Sequence, residues 1–362
     1  MTIAPRRPAA ADLAPGSHWR QPAVLVVLTA VLVVSVTAGI SIGSVTIPPG
    51  QVWSNLAAAV TGGRIDATGP PFVRAIVTQS RAPRVLLAVV VGAGLAVVGA
   101  ALQALVRNML ADPFLLGVSS GASVAAVLVI ISGATAVLGL TTPVAAFLGA
   151  LLALFVVYAM SRSGGQVTPT RLVLSGVAVA YVLSALTSLL LILAARPDAY
   201  REVLAWLLGS LGRATWDLLW LPTAAVAVGV AILLATARPL NLLLAGDEAA
   251  TTMGVDVPRF RAAMFVLTSL VTGVLVSVSG PIGFVGLIVP HAVRLVVGSD
   301  HRRLLPAAAL SGASFLVWAD VAARTVASPI EVPVGVLTAL CGGPFFLWLV
   351  RREARRGTRT SA

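Results

Sequence analysis

Residues 81–121 read Arg81-Ala82-Pro83-Arg84, then the apolar run Val85–Val106, then Arg107-Asn108-Met109-Leu110-Ala111-Asp112-Pro113-Phe114-Leu115-Leu116-Gly117-Val118-Ser119-Ser120-Gly121. Twenty-two residues without a charge, closed by Arg and a polar turn, have the length of one bilayer crossing. Asn-x-x-x-Asp-Pro is turn chemistry, with Pro113 preparing a helix start and Asp112 placed to cap its free N–H groups. A second apolar run opens at Leu115, so the segment reads as one transmembrane helix, a tight turn and the next helix.

The pattern repeats along the chain. Apolar runs occur at 23–42, 85–106, 115–131, 144–160, 172–194, 218–237, 262–279, 282–298, 304–323 and 334–350, the eighth of them interrupted by Gly and Pro and expected to be bent or partial. Of the 362 residues, 58% are hydrophobic and 10% charged. A soluble domain carries about 25% charged residues, so this chain could not cover a globular core with polar surface. Roughly 210 apolar residues, at about 20 per span, supply on the order of ten helices. The expectation is an all-α polytopic membrane protein with about ten transmembrane helices, a basic disordered tail at 1–22, a membrane domain at 23–350 and an Arg-rich tail at 351–362.

All 25 basic residues are Arg, against 13 acids, and Lys is absent. Without Lys there is no G-x-x-x-x-G-K-[ST] loop, so ATP hydrolysis, if used, belongs to another chain. The Arg residues are strung between apolar runs rather than clustered with aromatics, which argues against nucleic acid. With the N-terminus inside, 17 of the 25 Arg fall on the inner side; the positive-inside bias then puts both termini in the cytoplasm. Arg81 and Arg84 fall on the outer side, where that bias would not place them. Cys341 has no second thiol and reads as a small buried hydrophobe. His18, His291 and His301 lie at no metal-site spacing, so no metal site is expected. Asp320 reads as the partner of Arg324 one helical turn on, rather than as a proton relay. Small residues such as Gly92, Gly94, Gly99 and Gly121 allow neighbouring backbones to approach closely.

Two further stretches accompany the first. One is Gly280-Pro281-Ile282-Gly283-Phe284-Val285-Gly286-Leu287-Ile288-Val289-Pro290-His291; the other runs from Asp320 through Arg324 to Glu331-Val332-Pro333-Val334-Gly335 and Gly342-Gly343-Pro344. In order and spacing, the three segments closely resemble the FecCD-type permeases, membrane subunits of bacterial ABC importers for iron-siderophores, haem and vitamin B12. The resemblance runs from about Ala23 to Arg352, with Met109 standing where the family usually has Pro.

The resemblance implies the type II ABC importer permease fold in a bacterial cytoplasmic membrane. It implies a second permease subunit, with a heterodimer ahead of a homodimer, two cytoplasmic ATPases carrying ATP and Mg, and an extracytoplasmic substrate-binding lipoprotein. No cofactor and no catalytic residue are expected in this chain. Docking of the binding protein falls on Arg81, Arg84 and Arg324, where a planar guanidinium can take a carboxylate with two hydrogen bonds. The coupling helix that enters the ATPase falls on Gly246, Asp247, Glu248, Ala249, Ala250 and Gly254, with acids suited to a helix N-terminus and Gly254 to a left-handed cap. An inner gate falls at Thr168, Pro169 and Thr170. The substrate implied is an iron chelate, a ferric siderophore first, with haem or vitamin B12 as alternatives. A proton-coupled secondary transporter is the rival mechanism, disfavoured by the scarcity of acids within the spans.

Overall fold

The computed structural model describes residues 17–133, 141–163, 166–194 and 197–360. The helices in chain order are α1 (Ser17–Ser41), α2 (Pro49–Val60), α3 (Pro71–Val106, with a π-helical stretch at Ile76–Arg81), α4 (Val118–Ser132), α5 (Thr142–Ser161), α6 (Pro169–Ile192), α7 (Pro197–Leu207), α8 (Trp216–Ala235), α9 (Ala237–Leu244), α10 (Asp247–Thr252), α11 (Val257–Ser279), α12 (Val285–Val297), α13 (His301–Thr325) and α14 (Val334–Thr360). Between α5 and α6 a two-residue ladder pairs Arg162 with Val167 and Ser163 with Gln166.

Seven of these helices have the length and hydropathy of a membrane span, and α4, α12 and the first part of α14 are shorter apolar helices. Each of the ten apolar runs thus lies on a helix, but the boundaries differ in instructive ways. Helix α1 begins before Ala23, and α14 continues as helix through the basic stretch to Thr360. Helix α3 begins 14 residues before Val85, because Pro71 serves as a helix start, and in the polar stretch Thr78–Arg81 only Arg81 is buried while Gln79 and Ser80 are exposed. Helix α12 starts only at Val285. The residues before it, Gly280–Gly283, form no regular structure, with Gly280 at φ 65°, and Phe284 takes a left-handed φ of 69°. Non-helical backbone at membrane depth is stable only when other protein covers it. Here Ile282 is buried and Ser210 N–H donates to Ser279 O at 2.8 Å.

Helices α3 and α13 form the centre of the bundle. They run antiparallel, with Arg84 beside Asp320 near one end and Gly92 against Gly312 farther along. A Cβ on either glycine would overlap the other's carbonyl oxygen, so the two backbones are in direct contact. Gly121 of α4 and Gly149 of α5 repeat this arrangement, and Gly99 of α3 meets Gly286 O of α12 in the same way. At the periphery the helices are bare. Tyr181, Val182 and Ile192 on α6 and Leu340 and Leu347 on α14 are exposed, as expected of surfaces that face lipid or a second subunit. Cys341 lies on this exposed face of α14, not in the core, because no helix among the described residues covers that side.

Candidate functional site

The site residues divide between the two ends of the bundle. At one end the three expected docking arginines come together, but they turn inward. Arg81 is 7% exposed, and its guanidinium donates to Ile40 O at 2.8 Å, Ser41 O at 3.0 Å and Val45 O at 2.6 Å. These are carbonyls at and just beyond the C-terminus of α1, which have no intrahelical partner. Arg324, 8% exposed, does the same from α13, donating to Ile42 O at 2.9 Å and Gly39 O at 2.8 Å. Two cations thus close the negative end of the α1 dipole. Arg84 is held differently, with Nε 2.9 Å from Asp320 Oδ1 and Nη1 2.8 Å from Glu331 Oε2. Asp320 is fully buried and also lies 3.0 Å from Arg324 Nε, so the i, i+4 pair expected from the sequence is present, with Arg84 as an unforeseen third member. Glu331 is 55% exposed. An external carboxylate therefore reaches Arg84 by displacing Glu331, and reaches Arg81 or Arg324 only after the end of α1 is uncapped.

Beside this cluster a cavity of about 340 Å³ opens between the start of α5, α7 and the end of α11, lined by Trp206, Ser210, Arg213, Ser277 and Ser279 among others. Sequence reasoning gave none of these a role, because isolated serines, a tryptophan and a loop arginine carry no spacing signal.

At the opposite end the expected coupling segment forms α10. Gly246 precedes it with φ 117° and Gly254 follows with φ 85°, conformations that favour glycine. Val255 N–H returns to Ala250 O at 3.0 Å, and Gly254 N–H to Thr251 O at 2.9 Å, which closes the helix in the left-handed cap that Gly254 suggested. Arg261 of α11 grips Asp247 with both nitrogens, Nη1 to Oδ2 at 3.2 Å and Nη2 to Oδ1 at 3.0 Å, while its Nε donates to Leu105 O of α3 at 3.0 Å. The Arg261 hydrogen bond holds the Asp247 carboxyl below the usual carboxylate range. The faces of α10 differ from the sequence expectation. Ala250 is fully buried against the bundle, while Glu248, Thr251, Thr252 and Met253 face outward, and Leu244 just before the helix is exposed as well.

The turn after α3 joins the first two sequence motifs. Asp112 accepts from Phe114 N at 2.8 Å, as the Asp-Pro pattern predicts, and also from the backbone N–H of Phe284. Thr168 is the N-cap of α6, with Pro169 opening the helix and Thr168 and Thr170 exposed. His291 is buried edge-on against Phe345 with ring centroids 6.1 Å apart. Among the described residues, no group of three or more His, Cys, Asp or Glu could hold a metal ion.

An all-helical bundle of membrane-length and shorter apolar helices is what the resemblance implies, and the family model of the FecCD transport family matches residues 31–352. The chain belongs to the FecCD transport family. It is 50% identical over 287 residues to the cobalamin import permease of Halobacterium salinarum, covering 79% of this chain and 76% of that one. To the hemin transport permease of Yersinia pestis it is 44% identical over 282 residues, covering 76% and 84%. A solved structure described as an inward-facing metal-chelate type ABC transporter superposes with a TM-score of 0.78 at 30% identity, covering 91% of this chain and 99% of the other. This FecCD-family chain is therefore a multi-span membrane permease of the ABC importer class.

Proposed function

We propose that this permease carries an intact metal chelate across the cytoplasmic membrane by alternating access, driven by separate ATPase subunits. The observation that carries the reading is the clamped α10. A short helix that projects Glu248, Thr251 and Met253 outward while Asp247 is gripped by Arg261 is a handle for an external motor. Lys-free, the chain has no Walker A loop with which to be its own motor. On this reading both termini and α10 are cytoplasmic, and a second permease copy or relative covers the bare faces of α6 and α14. A binding lipoprotein docks at the opposite end, where Arg84 exchanges Glu331 for an acidic residue of the incoming protein. Arg81 and Arg324 brace that surface from below, and Thr168–Thr170 lie at the inner gate.

The cargo enters ready chelated. Among the described residues no His, Cys, Asp or Glu cluster offers a site for a bare ion, which is in keeping with this reading. A ferric siderophore is the first reading. A corrinoid is the second, favoured by the 50% identity to the Halobacterium cobalamin permease. Uptake by a deletion strain, supplied in turn with a ferric siderophore panel, haem and cobalamin as sole source, decides between them. Uptake of all three unchanged by the deletion would refute the proposal, and loss of uptake on collapsing the proton gradient with ATP maintained would refute the ATPase coupling.

A further inference from the structure

The handle is fastened at two points, and only one of them belongs to α10 itself. The other is Asn241, on the preceding helix α9. Its Nδ2 donates to Asp300 Oδ1 at 2.7 Å, while its Oδ1 accepts from His301 N at 2.9 Å and lies 2.7 Å from His301 Nδ1. His301 is fully buried at the first turn of α13. Asp300 is the N-cap of the same helix, its Oδ1 also accepting from Arg302 N at 3.0 Å. One amide side chain therefore engages the whole start of α13. Leu240 and Leu243, both fully buried, seat α9 beneath it.

With the Asp247–Arg261–Leu105 clamp, the α9–α10 unit bridges two groups of helices: α3 and α11 through Asp247, and α13 through Asn241. Helix α13 has 25 residues, so at 1.5 Å per residue it extends about 37 Å, the full depth of a bilayer core. Its far end carries Asp320 and Arg324 of the arginine cluster. A packed helix transmits displacement as a rigid body rather than absorbing it.

We infer that Asn241 is the positioning residue that couples the ATPase handle to α13, and through α13 to the Arg84–Asp320 cluster at the opposite face. This rests on α10 being the ATPase contact. Without the Asn241 linkage, motor movement still reaches α3 and α11 through Asp247 but reaches the start of α13 only indirectly, through the packing of α13 on α3. More ATP is then hydrolysed per substrate transported.

The test uses the assembled importer in proteoliposomes, with the ratio of substrate transported to ATP hydrolysed as its readout. A structural defect lowers both quantities together and leaves that ratio unchanged. Asn241→Ala is expected to keep ATPase assembly and basal hydrolysis while the ratio falls by about tenfold, within the range of ordinary inter-site coupling. Asn241→Asp keeps an acceptor for His301 N but sets a carboxylate against Asp300 in place of the amide donor, and is expected to lower the ratio as Asn241→Ala does. Met253→Arg, on the outward face of α10, is expected to block assembly. If Met253→Arg blocks assembly but Asn241→Ala keeps the wild-type ratio, the inference is overturned while the handle reading stands. If Met253→Arg assembles normally, the handle reading fails and takes the inference with it.

Discussion

Arg84 and Asp320, 236 residues apart in the chain, meet at 2.9 Å in a setting where Asp320 has no contact with solvent. The carboxylate is shared with Arg324, so a single buried anion separates two cations from α3 and α13. Removing one partner of a buried ion pair leaves an uncompensated charge, at a cost of about 3–5 kcal/mol. Asp320→Ala is therefore expected to lower the melting temperature of the detergent-purified permease substantially. Replacing Arg84 and Asp320 together by apolar residues should cost less than Asp320→Ala alone, because Arg324 then retains its α1 carbonyls without a second cation beside it. A melting temperature unaffected by Asp320→Ala would show that the triad does not hold α3 to α13.

Glu331 competes for the guanidinium that an incoming binding protein would use. Glu331→Gln weakens the 2.8 Å contact to Arg84 without disturbing Asp320, and Glu331 is exposed enough that stability should change little. Capture of the loaded binding protein is expected to tighten severalfold, matching the ~0.2–1 kcal/mol of an exposed ion pair. Arg84→Glu should abolish capture. Arg81→Glu should act otherwise, since Arg81 caps three carbonyls of the α1 terminus, and is expected to impair folding before docking can be measured. Binding isotherms on the purified permease distinguish these outcomes; weaker capture by Glu331→Gln would contradict the exchange.

Helix contacts through bare backbone make a sharper prediction than burial alone. A methyl group at Gly99 would overlap Gly286 O of α12, whereas one at Gly283 would meet nothing within 4 Å. Gly99→Ala is expected to cost about 1–3 kcal/mol or to prevent accumulation, as overpacking does. Gly283→Ala should be neutral. Yield and melting temperature of the two variants provide the comparison, and equal behaviour would argue against the close α3–α12 contact.

Hydropathy made the helices legible, because a span must be apolar over its whole length. Elements that cross no bilayer left no such mark. Helices α2 and α7 and the first third of α3 carry polar residues and were invisible for that reason. The non-helical stretch before α12 was half visible, through Gly280 and Pro281. The Asp320–Arg324 pair could be read from i, i+4 spacing, but its third member Arg84 could not, since nothing in a sequence relates positions 236 residues apart. The resemblance put Arg81, Arg84 and Arg324 at one end of the bundle, but not their direction, which depends on the α1 carbonyls that Arg81 and Arg324 cap and on the carboxylates that hold Arg84. On α10, the acids and Gly254 indicated a capped helix, while its inward face, with Ala250, follows from how Asp247 meets Arg261. Asn241 gave no signal at all, being one polar residue in PLNLLL.

Asp112 gives the chain a defined pH response. Burial pushes its carboxyl up from the ordinary 3.8 to about 6, although the N–H groups of Phe114 and Phe284 pull the other way. The folded state thus holds this proton more tightly than the unfolded state. The group's contribution to stability is fully present below about pH 4 and is lost as pH rises through about 6, where the half-buried carboxylate takes its charge. Asp112→Asn keeps an oxygen to accept both N–H groups and removes the titration. The difference in melting temperature, wild type minus variant, should therefore rise as the pH is lowered from 7.5 to 4.5, with contributions from other groups cancelling in the difference. A difference that stays flat, or falls, over that window would show that the Asp112 carboxyl is not held in a desolvated turn between the first two motifs.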